Sequence, residues 1–189
     1  MIEKIGSISD RIMQGDIYKN IDYIEYVAEV HNEDNHEIVT SLIVFPYVIV
    51  LTQDCDLRSD HLFRMENKST QDKYLLSVIV APLYNAEQVK TGTHLTDIGR
   101  KMEPFPNSTK FKEMLYTNEI PRFHYVKFPI DSEIPESIID FKHYFTVNVN
   151  YLMDIRAPRY VCKVKELYRE RISQRFSNFL ARIGLPDGE

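Results

Sequence analysis

The stretch DIYKNIDYIEYVAEVHNEDNHEIVTSLIVFPYVIVLT, residues 16–52, sets the architecture of the chain. Tyr, Ile and Val dominate residues 16–30 with partial alternation, and the polar cluster HNEDNH at 31–36 separates them from a second apolar run. This pattern predicts a β-hairpin whose loop is longer than the tight two-residue type. After Pro46 the segment YVIVLTQ is almost continuously apolar, which is typical of a strand buried on both faces.

Further strands are predicted on either side of a loop-rich region. KYLLSVIVAPLY (73–84), RFHYVKF (122–128) and DFKHYFTVNV (140–149) are rich in β-branched and aromatic residues, as strands are. Residues 54–72 are polar without a clear period and are predicted to form a loop. Residues 85–121 contain three prolines and are predicted to be an insertion over the body. Within it we expect a short helix from Ser108 to Tyr116, capped by Ser108.

The C-terminal region carries the clearest helical pattern. Apolar residues recur at intervals of three and four between Lys163 and Ile183, which predicts one amphipathic helix whose stripe docks on the sheet. Gly184 and Pro186 then give a helix stop. The stripe comprises Val164, Leu167, Tyr168, Ile172, Phe176, Phe179, Leu180 and Ile183.

Size and composition limit the class of protein. A length of 189 residues, with 43% hydrophobic and 27% charged residues, predicts one folded domain over residues 1–189. Without an apolar run of 18 or more residues or a secretion signal, we expect a cytoplasmic protein that does not span a membrane. Two distant cysteines, Cys55 and Cys162, predict free thiols, and no cofactor is expected. The oligomeric state is left open.

Charge is distributed unevenly along the chain. The net charge is −5, but residues 156–182 hold eight Lys or Arg against two Glu. Such a basic segment could bind nucleic acid or an acidic partner, or could be an ordinary solvated surface. Arg171, Arg175 and Arg182 lie off the apolar stripe of the predicted helix and are the candidate phosphate-binding residues.

Three phrases in the first half resemble a known family. QGDIY opens a strand, PYVIVLTQD follows a proline, and a third strand ends in VIVAPLY. In this order they resemble the small β-barrel of the MazF/PemK toxins, over residues 13–84. The resemblance implies a small barrel-like body. Together with the patterns above, it predicts an α+β protein with barrel-like strands within 13–84 and 122–150, an insertion at 85–121 and a C-terminal helix at 163–183. It also implies a bacterial or phage conflict setting.

The family's catalytic pair is absent from this chain. Those toxins cut RNA with an arginine just before the proline of the second phrase, where Phe45 stands here. They also use a Thr or Ser after the proline of the third phrase, where Leu83 and Tyr84 follow Pro82. The resemblance therefore supports the barrel and not the ribonuclease activity.

QDCDL, residues 53–57, is the best candidate for chemistry. Two acids flank a cysteine where a buried strand must end, a position at which active sites often gather. Cys55 could be a nucleophile if His124 or His143 supplied a base, although the charges of Asp54 and Asp56 oppose a thiolate. In the alternative interpretation Cys55 is buried and structural, and the aspartates cap backbone amides.

Two further readings stay open for the polar residues. Asp54 and Asp56 could bind a divalent ion, with the Asp140-Phe-Lys142 segment completing a metal nuclease, although no metal site is predicted. His124 and His143 both stand beside a tyrosine on predicted strands, where histidines are commonly structural.

No catalytic constellation is complete, so the sequence favours a non-enzymatic recognition or regulatory module. It would bind a protein partner or nucleic acid. The alternative is an enzyme, either a divergent ribonuclease or a cysteine-dependent hydrolase that uses the Asp54-Cys55-Asp56 loop with a histidine.

Overall fold

A computed structural model describes residues 2–3, 8–32, 35–66 and 69–182. Two short 3₁₀ helices lie at Thr96–Ile98 and Phe141–His143. The strands and α-helices that the described residues form are, in chain order, β1 (Ile2–Glu3), β2 (Asp16–Asn32), β3 (Asn35–Val50), α1 (Asp54–Met65), β4 (Ser77–Asn85), α2 (Ala86–Thr91), α3 (Thr109–Tyr116), β5 (Phe123–Val126), β6 (Ser137–Asp140), β7 (Phe145–Asn148), α4 (Val149–Arg159), β8 (Tyr160–Val164) and α5 (Glu166–Leu180).

All strands belong to one antiparallel sheet. Its order is β1-β8-β2-β3-β4-β6-β5, and β7 also pairs with β4. Among the described residues this path has two ends, β1 and β5, so the sheet is open. The α+β class is confirmed, whereas the closed MazF-like barrel is not and stays a prediction.

The predicted hairpin is present, but its loop is shorter than expected. β2 and β3 pair from Ile17↔Ile49 out to Asn32↔Asn35. Only residues 33–34, which lie outside the described part of the chain, separate the two strands. The prediction of a long loop at 31–36 was wrong because polar residues can continue a ladder wherever a strand is solvated on its faces.

The pairing of β2 with β3 is interrupted at Asn20 and Pro46. Asn20 has a φ of 54°, and Pro46 cannot donate a backbone hydrogen bond. These two residues are not paired with each other, although Lys19↔Tyr47 and Ile21↔Phe45 are both formed. Beyond the interruption the two strands pair only with each other among the described residues, and we call this segment the hairpin arm (residues 21–32 and 35–45).

Two hydrophobic clusters pack against the sheet. The first includes Tyr18, Ile21, Phe45, Tyr84 and Phe145. The second consists of β-strand residues together with one face of α5. That face is Ile172, Phe176 and Phe179, and it packs around Phe141.

The C-terminal helix is shorter than predicted. Val164 ends β8, and Leu167, Tyr168 and Leu180 are exposed on α5, while Ile183 lies outside the described residues. The predicted stripe was too long because apolar spacing of three and four continued through a strand and through solvent-facing helix positions. The predicted helix at Ser108–Tyr116 is confirmed as α3, and Ser108 accepts a hydrogen bond from the amide of Phe111 at 3.1 Å.

Two segments predicted as loop or strand are helical. Residues 54–65 form α1, whose first turn carries Asp54 and Asp56, where negative charge is favoured by the helix dipole. The single predicted strand at 140–149 is broken into β6, the 3₁₀ helix Phe141–His143 and β7. Relative to β4, the register shifts by three residues between Leu83↔Ile139 and Val80↔Phe145. Because of this break, His143 is not part of the pairing of β4 with β6 or with β7.

Candidate functional site

Asp54, at the start of α1, forms an ion pair rather than an open ligand site. Arg11 donates to both of its carboxylate oxygens, at 2.7 and 3.1 Å, and the amide of Gln14 donates at 3.2 Å. Partial burial raises the pKa of Asp54, but the bonds from Arg11 and Gln14 outweigh it and hold the pKa below its ordinary value. Asp54 therefore ties α1 to the N-terminal segment.

Cys55 is exposed on α1, so the prediction of a buried cysteine was wrong. Successive side chains of a helix lie about 100° apart around its axis, so Cys55 can face solvent while Leu57 on the same helix is buried. The sulfur of Cys55 contacts the side-chain oxygens of Gln53 at 3.6 Å and Asp56 at 3.7 Å. These partners are acceptors, and neither His124 nor His143 is among them. Among the described residues, the Asp54-Cys55-Asp56 segment therefore contacts no histidine that could act as the base of a cysteine nucleophile.

His124 lies beneath α5, in the second cluster. It is buried on β5, with its ring 6.2 Å from that of Phe141. Burial, with added repulsion from Arg175 and Arg171, lowers its pKa to about 3. His124 is therefore neutral and far from its usual titration range. The atom Nδ1 is buried without a hydrogen-bond partner among the described residues.

The candidate phosphate-binding arginines are bonded to the protein itself. Arg175 donates to the backbone carbonyls of Ile120 at 2.7 Å and Phe123 at 2.9 Å. Arg171 donates to Thr117 O at 3.4 Å. Arg182 donates to Phe179 O at 2.8 Å and covers that ring at 3.7 Å. Arg171 and Arg175 thus fasten α5 to the body, whereas Arg182 bonds to a carbonyl of α5 itself. Sequence spacing does not distinguish these uses of a guanidinium group from phosphate binding.

The hypothesis that Asp54 and Asp56 bind a divalent ion has no geometric support in the described part of the chain. No group of three or more His, Cys, Asp or Glu side chains there is arranged to hold a metal ion. Of the Asp140-Phe-Lys142 segment, Asp140 is 1 % exposed and forms a bidentate pair with Arg122, at 2.8 and 2.5 Å.

A connected polar chain runs from Asp140 to the first cluster. His143 Nδ1 lies 3.5 Å from Asp140 Oδ2 and 3.1 Å from the hydroxyl of Tyr84. Burial lowers the pKa of His143, although the carboxylate of Asp140 raises it in part. Burial and the Asp140 charge together raise the pKa of Tyr84, so its hydroxyl stays protonated. Arg122 fixes Asp140, and Asp140 and Tyr84 together fix the orientation of His143.

His143 opens on a concave site that we call the aromatic cleft. It comprises a cavity of about 200 Å³ next to one of about 310 Å³. The two cavities share Ile43, Phe45, Tyr84, Leu95 and Ile98. The rings that line the smaller cavity are those of Tyr23, Phe45, Tyr84, Tyr144 and Phe145.

The two charged side chains at the smaller cavity, Arg100 and Lys142, are both basic. Arg100, Lys142 and His143 line it, and no Asp or Glu does so among the described residues. Arg100 also reaches the hairpin arm, where it pairs with Glu25 at 2.6 Å. Of these three residues the sequence singled out His143 as a candidate base and Lys142 as part of the Asp140-Phe-Lys142 segment, but not Arg100, because the cavity is lined from separate strands and loops. Phe45 and Tyr84, the positions that the toxin resemblance marks, do lie side by side here, with ring centroids 6.3 Å apart.

The hairpin arm presents a second candidate surface. Register places Ile24 opposite Leu42, Val27 opposite Thr40, and Ile38 opposite Glu29. Cross-strand partners share a face, and residues two apart on a strand do so too. We call Ile24, Val27, Ile38, Leu42 and Val44 the aliphatic face. Their exposed fractions run from 54 % for Val44 to 66 % for Ile38.

No protein-family model matches this chain, and the curated proteins contain no significant match to it. Its function is therefore argued from the geometry above. No helix in the described ranges has the length and apolar character needed to cross a membrane.

Proposed function

We propose that this protein is a non-enzymatic recognition module that binds a second protein through its hairpin arm. The observation that carries the proposal is the aliphatic face, five large apolar side chains that are all more than half exposed. Contiguous apolar patches on a protein surface mark interaction sites more often than scattered residues do. When a partner covers these side chains, each Å² of apolar area removed from water stabilises the complex by about 25 cal/mol.

No third strand pairs with the hairpin arm in the part of the chain that the structure describes. β2 pairs with β8 only through residues 16–18, and β3 pairs with β4 only through Val48–Val50. The outer backbone groups of the arm are therefore available to an added strand, a common mode of protein recognition. An unprotected ribbon of this kind is an aggregation hazard unless a partner covers it.

Charge indicates the chemistry of the partner. Residues 20–53 hold six acidic residues and no lysine or arginine, so a groove with apolar and basic residues would complement the arm. Nucleic acid is disfavoured because its phosphates would meet these carboxylates. A second copy is disfavoured as well, since Arg171, Arg175 and Arg182 are engaged with backbone carbonyls of their own chain.

The non-enzymatic part of the proposal rests on the Asp54-Cys55-Asp56 segment, where the thiol has no histidine partner. We further propose that the body is related to the MazF/PemK barrel and that the protein acts in the cytoplasm, in a bacterial or phage conflict system. What supports this relation is that β2, β3 and β4, which carry the three matching phrases, are sheet neighbours in chain order.

The test uses the full chain with the double variant Ile38→Thr and Leu42→Thr. Threonine keeps β-propensity and removes apolar area. The matched control is Leu76→Thr with Ile130→Thr, which alters two highly exposed aliphatic side chains of the body. The protein is used to capture its binding partners from an extract of the native cells, and these partners are identified and purified. The affinity of each purified partner for the wild type and for each variant is then measured by calorimetry.

We expect a partner whose affinity for the protein decreases as salt is added. The arm variant should weaken this affinity at least tenfold, and the control variant should leave it unchanged. It is contradicted if the purified partner binds both variants equally. It is also contradicted if light scattering shows that the wild type self-associates and the arm variant does not, since the arm would then serve a second copy.

A further inference from the structure

The aromatic cleft supports a separate inference, which does not depend on a partner protein binding the aliphatic face. We propose that the cleft binds a small aromatic anion, a single flat ring system that bears a phosphate or carboxylate group. The shape of the cleft, the rings that line it and the basic side chains of its smaller cavity support this proposal.

Ring stacking is the first element. Tyr23, Phe45 and Phe145 are in mutual contact, with centroid distances of 5.1 to 6.2 Å, and Tyr84 joins them at 6.3 Å from Phe45. Because aromatic faces attract other flat rings, these side chains offer a planar guest several surfaces. The volumes of the two adjoining cavities, about 200 and 310 Å³, suit one ring system and one small polar group.

Charge is the second element. The protein carries a net charge of −5, yet the smaller cavity is lined by Arg100, Lys142 and His143 without a carboxylate. Asp97 lines the larger cavity, so the anionic group belongs in the smaller one, because a cavity with one sign of charge and low-dielectric walls concentrates ions of the opposite sign. Lys142 is exposed and forms no ion pair within the described residues, so its ammonium group can bind an anion without breaking an existing bond.

His143 supplies the third element, a fixed polar atom. Tyr84 and Asp140 both engage its Nδ1, so Nε2 faces away from them and has no hydrogen-bond partner among the described residues. Since burial keeps the imidazole neutral by lowering its pKa, Nδ1 and Nε2 share one proton. The bonds at Nδ1 thus decide whether Nε2 donates to an oxygen of the ligand or accepts from it.

The test is isothermal calorimetry on the full chain with two families of probe. The phosphate probes are the four ribonucleoside 5′-monophosphates, and the carboxylate probe is 4-hydroxyphenylacetate. The neutral controls are the nucleosides for the phosphates and 4-hydroxyphenylacetamide for the carboxylate. The controls without a ring are inorganic phosphate and acetate. The variant is Lys142→Ala, and the matched control is Lys127→Ala, an exposed lysine outside the cleft.

We expect at least one ring-bearing anion to bind with a Kd below about 1 mM. Its neutral and ringless counterparts should bind at least tenfold more weakly. Lys142→Ala should lose about tenfold in affinity through the missing charge-assisted contact, while Lys127→Ala should not differ from the wild type. The probe series that binds, phosphate or carboxylate, identifies the anionic group. The proposal is overturned if neither series binds, if a neutral or ringless counterpart binds as tightly, or if both lysine variants behave alike.

Discussion

Replacing Phe176 with alanine tests how α5 is held to the sheet. The side chain is 5 % exposed, and its ring lies 5.5 Å from that of Phe141 and 5.3 Å from that of Tyr144. Removing a buried phenylalanine costs about 3–5 kcal/mol, through lost transfer free energy and a residual cavity. For a chain of this size each kcal/mol lowers the melting temperature by roughly 2–4 °C. Phe176→Ala should therefore lower it by roughly 6–20 °C.

Leu167→Ala is the matched control on the same helix. Leu167 was predicted to share the apolar stripe with Phe176, but it is 79 % exposed, so its truncation removes little buried area. Both variants gain a few tenths of a kcal/mol in helix propensity, which cancels in the comparison. Melting is followed by circular dichroism at 222 nm. Equal shifts for the two variants, or no shift for Phe176→Ala, would refute the docking geometry of α5.

Two further outcomes are expected. The folded pKa of His124 is about 3 and that of an unfolded histidine is about 6.5, so the folded state binds fewer protons between these values. His124 should therefore make the free energy of unfolding fall as pH drops from about 6.5 towards 3. This contribution is missing in His124→Gln, so the variant should lose less stability than the wild type over that range, as measured by urea unfolding at several pH values; equal losses would contradict the burial of His124. One thiol per native chain should react readily with a thiol reagent, because Cys55 is exposed while Cys162 is buried, with its pKa raised to about 12 by that burial. In denaturant both should react, and a native chain that labels at neither or at both positions would contradict this placement.

Periodicity revealed β2 to β5 and the helix α3, because these elements depend on local patterns, but it did not reveal the short strands β1 and β8. It did not reveal α1, where polar side chains conceal a helix that is held by Asp54 and by the buried Leu57 and Asp60. Asp60 pairs with Arg64 and accepts from the amide of Leu75. Such stabilisation comes from contacts distant in sequence, which a window of a few residues does not contain.

Less of the candidate site than of the fold could be predicted from the sequence. His143 was named, but its orientation depends on Tyr84 and Asp140, which lie on different strands. The break at Phe141–His143 that exposes it arises from a register shift against β4. Register is a property of paired strands, so a single strand pattern such as DFKHYFTV predicts a continuous strand there.

The two hydrophobic clusters are coupled through β2 and β3, on either side of the interruption at Asn20 and Pro46. On β2, Ile17 belongs to the second cluster and Ile21 to the first, and on β3 the same holds for Ile49 and Phe45. Both clusters therefore share the same two strands, so neither can unfold without unpairing residues that support the other. Hydrogen exchange in the two clusters should accordingly be governed by a single opening event.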